Sequence, residues 1–335
     1  MQLLRKIAFP ISLIYALVVY VRNYLYDVGI WSSKTFDTPT ICIGNLSVGG
    51  TGKTPMVELL ISALKDTHKI AVLSRGYRRK SKGFGLASPK STVEDLGDEP
   101  YQIYTKFPEI TVAVDADRRN GISILEDKIK PDLILLDDAF QHRKVKPDFS
   151  ILLTAYDTIY TEDWYLPTGN LRDSKKAAKR ADVIVVTKCP PEMSVDERKA
   201  VTDQLNPMEG QRVLFSYLVY DTNLKGSKAD VSLHGLNNRK ITLVTGIANP
   251  APLVSFLEKE KMVFEHLAYA DHHFFTPKEL VALNSKEVVL TTEKDFMRLN
   301  NRVENLFYIQ VAHMFFDDGR STLKALLEEL MKKDC

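Results

Sequence analysis

Apolar residues along this chain come in short unbroken runs, set apart by helical patterns. From Lys69 onward the runs fall at Ile70–Ser74, Ile110–Val114, Leu133–Asp137, Phe149–Leu153 and Val183–Thr187. Strands buried on both faces of a parallel sheet read as continuous runs, whereas half-exposed strands alternate. An earlier run, from Thr40 to Ile43, enters a glycine-rich loop, and an apolar helical pattern follows from Met56 to Leu64. This part of the chain is predicted to be a doubly wound α/β domain with a mostly parallel sheet of the P-loop NTPase type. Ligands in such sheets bind beyond the carboxyl ends of the strands.

Past Lys188-Cys189-Pro190-Pro191 the pattern changes. Val213–Tyr220 alternates as a half-exposed strand does. Further strands are predicted near Ile241–Thr245, Val288–Thr291 and Leu306–Val311, with helices from Pro252 to about Glu260 and over Thr322–Lys332. The predicted organisation places a P-loop domain at 27–212 and a second, smaller α/β domain at 221–305. Segments 213–220 and 306–311 are expected to pair as a two-stranded linker, and 312–335 to pack back on the first domain.

Residues 1–26 form a separate element. Ile7 to Val21 is an uncharged apolar run of 15 residues, preceded by Arg5 and Lys6 and followed by Arg22. A full membrane span needs about 20 such residues. No small-residue cleavage site follows, which argues against a secretory signal. A helix lying in or dipping into a membrane fits better than a buried core helix. The basic residues would then meet an anionic surface, and Tyr15, Tyr20, Tyr24 and Tyr26 would sit near the interface.

Composition narrows the picture slightly. The 335 residues are 44% hydrophobic and 26% charged, as in folded globular proteins. A net charge of +2 gives no global field for nucleic acid, and no protein partner is called for. The three cysteines, Cys42, Cys189 and Cys335, lie far apart, which suggests a reducing compartment and no structural zinc.

The candidate chemistry gathers after the predicted strands. Ser47-Val48-Gly49-Gly50-Thr51-Gly52-Lys53-Thr54 lies between a strand and a helix, as a phosphate-binding loop does. Glycines let backbone N–H groups turn around phosphate oxygens, and the helix N-terminus adds partial positive charge. Lys53 can reach the β- and γ-phosphates, and the Thr54 hydroxyl can ligate Mg²⁺. Ser47 departs from the strict pattern, which has glycine there. Asp137 and Asp138 close an apolar strand and have the form of a Walker B element that holds the metal. Asp98 and Glu99 precede an amphipathic stretch, where Asp98 can cap a helix, hold metal or accept a proton. Arg75, Arg119, Asn120, Gln141, His142 and Arg172 follow strand ends and are candidates for a phosphorylated acceptor. A basic helical stretch follows Asp173, with Lys175, Lys176, Lys179 and Arg180 suited to an anionic membrane or substrate. His272 and His273 are expected on an extended segment facing opposite ways, which suits a single metal poorly.

Together these motifs resemble one family, the tetraacyldisaccharide 4′-kinases, also called lipid A 4′-kinases. The resemblance rests on Gly44–Pro55, Ser74-Arg75-Gly76-Tyr77, Gly97-Asp98-Glu99-Pro100, Asp115-Ala116-Asp117-Arg118 and Asp137–His142. It continues in Leu166–Asp173, Asp271-His272-His273 and Leu290–Asp295. That family tolerates a hydroxyl residue at position 47, while Ala139 replaces a usual glycine and Asp173 a usual glutamate. The resemblance implies transfer of the γ-phosphate of ATP, with Mg²⁺, to the 4′-hydroxyl of an acylated disaccharide 1-phosphate lipid, giving lipid IVA. It also implies a place at the cytoplasmic face of the inner membrane. An unactivated hydroxyl must lose its proton during attack. With Lys53 committed to phosphates and Asp137 and Asp138 to metal, Asp98 and His272 remain as base candidates, and the resemblance points to their acting as a pair. A kinase for a soluble sugar or nucleoside is a second reading, against which the apolar N-terminus counts. A GTP switch is a third, weakened by Pro190 in Thr187-Lys188-Cys189-Pro190, where guanine recognition needs aspartate.

Overall fold

The computed structural model describes residue 5 and residues 7–333. Lys6 and Cys335, named above, lie outside the described residues. The first part of the chain builds strands β1 (Thr40–Asn45), β2 (Ile70–Ser74), β3 (Gly85–Leu86), β4 (Thr111–Val114), β5 (Leu133–Asp137), β6 (Phe149–Ala155), β7 (Val183–Thr187) and β8 (Arg212–Tyr220). The second part builds β9 (Asn223–Gly226), β10 (Val231–Ser232), β11 (Ile241–Thr245), β12 (Phe264–Ala268), β13 (Val288–Thr292), β14 (Leu306–Ile309) and β15 (Val311–Phe315).

Nine of these form one sheet in the order β15-β8-β7-β6-β1-β5-β2-β4-β3. All neighbours pair parallel except the two edge strands, β15 and β3, which pair antiparallel. Both faces of β1 are buried. Ile41 and Ile43 join the core on one face, with Val72, Leu135, Ile151 and the helix Lys53–Leu64. Cys42 points into the opposite core with Leu73, Leu136, Leu152 and Ile184. Alternate residues therefore serve different cores, which is why the run is apolar without a break. The chain places β2, β4 and β5 on one side of β1, then β6, β7 and β8 on the other. The reversal at β1 opens a crevice where its loop emerges.

Six strands form the second sheet, in the order β10-β9-β14-β13-β11-β12. Here the expected linker needs correction. β8 pairs not with Leu306–Ile309 but with β15, in register Val311↔Tyr220 to Phe315↔Ser216. β14 pairs parallel with β13 inside the second sheet. Val311–Phe315 is thus an edge strand of the first sheet rather than the lead into a C-terminal helix. The apolar run over 306–311 hides a change of sheet at Gln310, because one continuous run cannot reveal which neighbour each half meets.

The last helix, Gly319–Lys333, returns to the first sheet, where Leu323 and Leu327 join the core with Met56, Leu60 and Ile61. The basic stretch Lys175–Arg180 is a 3₁₀ turn rather than an α-helix.

The helix Phe9–Asp27 is amphipathic in an inverted sense. It buries Ser12, Val19 and Asn23 against the protein. Ile11, Leu13, Ile14, Leu17, Val18, Tyr20 and Val21 stay exposed. Ser12 Oγ donates to Thr168 Oγ1 at 2.8 Å, Tyr15 Oη to the Arg172 carbonyl at 3.1 Å, and Asn23 Nδ2 to Asp173 at 2.7 Å. Tyr15 therefore faces the protein, and not an interface as expected. This helix is long and apolar enough to cross a membrane by length and composition.

The two sheets meet through helices Asp98–Lys106 and Glu293–Leu299. Lys106 Nζ lies 2.7 Å from Glu58 of the first unit and 3.0 Å from Glu293 of the second. Burial, together with Glu58, pushes the Glu293 carboxyl up to about 7, against the pull of Lys106. Because the folded-state value is raised, Glu293 adds most to stability at low pH, and that contribution is lost as pH rises through about 7. Lys106→Met removes the cation that offsets this loss. We expect it to destabilise the protein by about 3–5 kcal/mol at pH 8 and by clearly less at pH 5. Urea unfolding at the two pH values checks this, and an equal loss at both would refute it.

Candidate active site

The crevice beside β1 is lined by Ser47, Val48, Gly49, Lys53, Arg75, Asp98, Glu99, Asp138, Arg172 and His272, and encloses about 370 Å³. The loop between β1 and the helix Lys53–Leu64 is held from several sides. Val48 N–H donates to the Asn170 carbonyl at 2.8 Å, and Ser47 Oγ to Asp163 at 3.2 Å. Asn45 Nδ2 donates to Thr51 Oγ1 at 3.0 Å, and Thr187 Oγ1 to the Thr51 carbonyl at 2.8 Å. Gly52, with φ of 81°, is left-handed and begins the helix. Its carbonyl accepts from His313 Nε2 at 2.8 Å, while Ser216 Oγ lies 3.1 Å from His313 Nδ1. A Cβ at Gly52 would come within 2.9 Å of the His313 ring, so both φ and space favour glycine here. Burial pushes the His313 imidazole down to about 4, which keeps it neutral.

Lys53 Nζ rests 3.6 Å from Asp138 Oδ1. Arg172 forks onto the same carboxylate, with Nη1 at 2.9 Å from Oδ2 and Nη2 against Oδ1. The two strand-end aspartates have divergent environments. Burial would raise Asp138, but Lys53 and Arg172 hold it down at about 2. Asp137 is driven up to about 7 by burial and by Glu99 and Asp138, with Lys53 and a 2.9 Å hydrogen bond from Ser74 opposing. A buried carboxylate crowded by two others is an electrostatic setting that a cation relieves. Among the described residues no cluster of three or more ligating side chains forms a closed metal site.

Asp98 opens the helix Asp98–Lys106 after Gly97, which is left-handed at φ of 90°. Its side chain does not cap that helix but crosses to the second unit. His272 Nδ1 lies 2.6 Å from Asp98 Oδ2. Arg298 donates Nε to Oδ1 at 2.8 Å and Nη2 to Oδ2. Burial alone would raise the Asp98 carboxyl, but hydrogen bonds from His272 and Arg298, with the Arg298 and Lys294 charges, hold it below its ordinary value. The pair is assembled across the two units. The histidines are in a turn rather than an extended segment, and His272 has φ of 62°. A non-glycine residue held there is strained backbone, and the surroundings must impose it. His272 N–H donates to the Gly246 carbonyl at 3.0 Å, and Gly246 N–H donates to the buried Asp295 at 2.8 Å. His273 points elsewhere, to Glu279 at 3.1 Å.

Several expected acceptor residues are engaged outside this crevice. Asn120 Nδ2 donates to Asp115 at 2.7 Å, Arg119 lies 3.6 Å from Asp117, and Gln141 Nε2 donates to the Asn45 carbonyl at 2.6 Å. His142 lines a separate cavity of about 570 Å³ with Arg118, Arg143 and Arg180, and burial pushes it down to about 4. Gly50, Thr51, Gly52, Thr54 and Asp137 flank the crevice without lining it.

The profile of the family described as Tetraacyldisaccharide-1-P 4′-kinase (LpxK) matches residues 4–332. The chain belongs to this family. It is 46% identical to "Tetraacyldisaccharide 4′-kinase" of Flavobacterium johnsoniae over 334 residues, covering 98% of each chain. It is 43% identical to the protein of that name from Bacteroides thetaiotaomicron, over 88% of this chain and 83% of the relative. Among solved structures it is similar to LpxK from Aquifex aeolicus in complex with ATP, with a TM-score of 0.80 and 31% identity over 98% of this chain and 99% of that one.

Arg298, Lys294 and His313 were not legible as parts of this kinase's site. Lys294 and Asp295 lie within a motif that carried the family resemblance, but nothing in their spacing shows what they touch. Arg298 and Asp98 are 200 residues apart. Arg298→Met leaves Asp98 buried without its two-pronged partner, and we expect a loss of about 3–5 kcal/mol. Adding Asp98→Asn should restore part of that loss in urea unfolding. Strictly additive losses would show that the two groups do not depend on each other.

Proposed function

We propose that this kinase transfers the γ-phosphate of ATP to the 4′-hydroxyl of a tetraacylated disaccharide 1-phosphate, at the cytoplasmic face of the inner membrane. The observation that carries this is the shared crevice. Lys53 of the phosphate loop and the Asp98–His272 pair line the same space, with Arg172 beside them. ATP phosphates lie along Ser47–Thr54, with backbone N–H groups and Lys53 as donors. Thr54, Asp137, Asp138 and Glu99 would hold Mg²⁺, which neutralises charge on the transferring phosphate when bound. Lys53 exchanges Asp138 for phosphate oxygens. Arg75 and Arg172 supply guanidinium groups to the phosphorylated acceptor, and Arg119, Asn120, Gln141 and His142 bind its more distant parts. The Asp98–His272 pair removes the acceptor proton as oxygen attacks phosphorus.

The exposed apolar face of Phe9–Asp27 enters the cytoplasmic leaflet of an anionic bilayer. Arg5 and Arg22 lie near headgroups, and the acyl chains of the substrate stay in lipid. Residues 27–212 and 221–305 act as two domains across which the site is divided.

The decisive experiment incubates the protein with Mg·ATP and the precursor lipid and weighs the lipid product. A gain of one phosphate is expected, and ATP turnover without acceptor, or with a soluble sugar alone, would overturn the reading. Lys53→Ala should reduce transfer by about 10³-fold or more. Asp98→Ala and His272→Ala should each lower kcat strongly and leave KM for ATP nearly unchanged. The double variant should be little worse than the worse single one, because the two work as a unit. Multiplicative losses would separate them.

Deleting residues 1–22 should release the protein from anionic vesicles and raise KM for lipid presented in bilayers. Continued sedimentation with vesicles would move attachment to another surface, with Lys175–Arg180 the first to test.

A further inference from the structure

β7 ends at Thr187, and Lys188 follows it with φ of 57°, a left-handed backbone that lysine seldom adopts. The segment is tied down on both sides. Thr187 Oγ1 donates to the Thr51 carbonyl at 2.8 Å, and Cys189 N–H donates to the Ser216 carbonyl on β8 at 3.1 Å. Lys188 is thereby aimed at the phosphate loop, where a Cβ built on Gly50 would lie 3.8 Å from its Nζ. Burial pushes the Lys188 ammonium down, with Asp157 opposing. Among the described residues no hydrogen bond or ion pair reaches Lys188 Nζ. An ammonium can only donate, so this half-buried group lacks an acceptor.

Topology decides which part of a nucleotide comes here. The crevice draws on the ends of β2 and β5 through Ser74, Arg75 and Asp138, and on Asp98 and His272. β6 and β7 lie on the opposite side of β1. Ser47, Val48 and Gly49 line the crevice, and Gly50 does not. A triphosphate whose γ end faces Asp98 and His272 therefore has its nucleoside on the β7 side, beyond Gly50.

We propose that Lys188 is a nucleotide-binding residue whose stem packs along the purine nucleoside and whose ammonium donates to a ribose oxygen or ring nitrogen. This rests on the reading that Ser47–Thr54 holds the phosphates of ATP. Lysine suits both tasks, because its four-carbon stem covers apolar surface while its charged tip keeps a polar partner. The stretch Thr187-Lys188-Cys189-Pro190 has the spacing of a guanine reader, in which aspartate stands two residues after the lysine. Pro190 stands there instead and supplies neither a carboxylate nor an N–H. Position 190 cannot bond the N1–H and N2–H donors of guanine. The segment thus holds a nucleoside without selecting guanine.

The test titrates the full chain, in detergent micelles, with Mg·ADP and with Mg·tripolyphosphate, which separates nucleoside from phosphate contacts. Lys188→Met should weaken ADP binding roughly tenfold, as expected for the loss of one charged hydrogen bond, and leave tripolyphosphate binding unchanged. In turnover, KM for ATP should rise by a similar factor with kcat nearly unchanged. Lys188→Arg should recover most of the ADP affinity. Lys188→Gly, which also relieves the left-handed backbone, should match Lys188→Met and so guards against a folding defect. Unaltered ADP affinity in Lys188→Met would overturn the proposal. So would equal weakening of ADP and tripolyphosphate in both Lys188→Met and Lys188→Gly, which would place the ammonium on phosphate. A wild-type protein that binds neither probe would remove the phosphate-loop reading itself, and this proposal with it.

Discussion

A buried carboxylate is bonded across the two halves of this protein. Asp98 belongs to the first sheet's unit, yet its partners, Arg298 and His272, both come from the second. An ionised carboxylate taken out of water costs several kcal/mol unless donors replace the lost hydration. The second unit supplies those donors at the crevice. Separation of the units would leave both a carboxylate and a guanidinium unpaired, so the shape of the crevice and the docking of the two units rest on the same contacts. Lys106 repeats the arrangement nearby, with one carboxylate from each unit.

The phosphate loop depends on a similar reach across the chain. Its backbone is bonded to the segment after β6 through Asn170 and to β7 through Thr187. His313, on β15, fixes Gly52. Because β15 directly follows β14 of the second sheet, the edge strand that fixes the loop is continuous with the other unit. At the strand end, Lys53 and Arg172 stabilise Asp138, while Asp137 remains short of positive charge. That imbalance suits a site completed by a cation and a polyphosphate.

The N-terminal helix enters the same network. Its polar stripe meets Thr168, Arg172 and Asp173, in the segment that also holds the phosphate loop. Its apolar side remains uncovered. A soluble helix buries its apolar face, so this inversion is consistent with lipid as the missing neighbour. The helix therefore lies only a few bonds from the residues expected to handle phosphate.

Local pattern was enough for the central strands of both sheets, the phosphate loop and the class of sheet, but not for β3, β9, β10, β12 or β15. Unbroken apolar runs report burial on both faces, and glycine, lysine and threonine after a strand carry their chemistry in adjacent residues. Asp98, Asp138 and His272 could be singled out as candidates, and the fold brings all three to one crevice, with Asp137 buried beside it. Family motifs strengthened that choice. Pairing was not legible, since a run of apolar residues does not say which strand lies beside it. The division of 306–315 between two sheets followed only from tertiary register. The partners of buried charges were equally hidden. Arg298 completes Asp98, Lys294 faces His272 and His313 pins Gly52 across separations that no periodicity reports. Local sequence determines which groups can form strands, bind phosphate or ionise. The tertiary fold decides which donors reach a buried acceptor, because the cost of an unpaired charge is set by its surroundings in space.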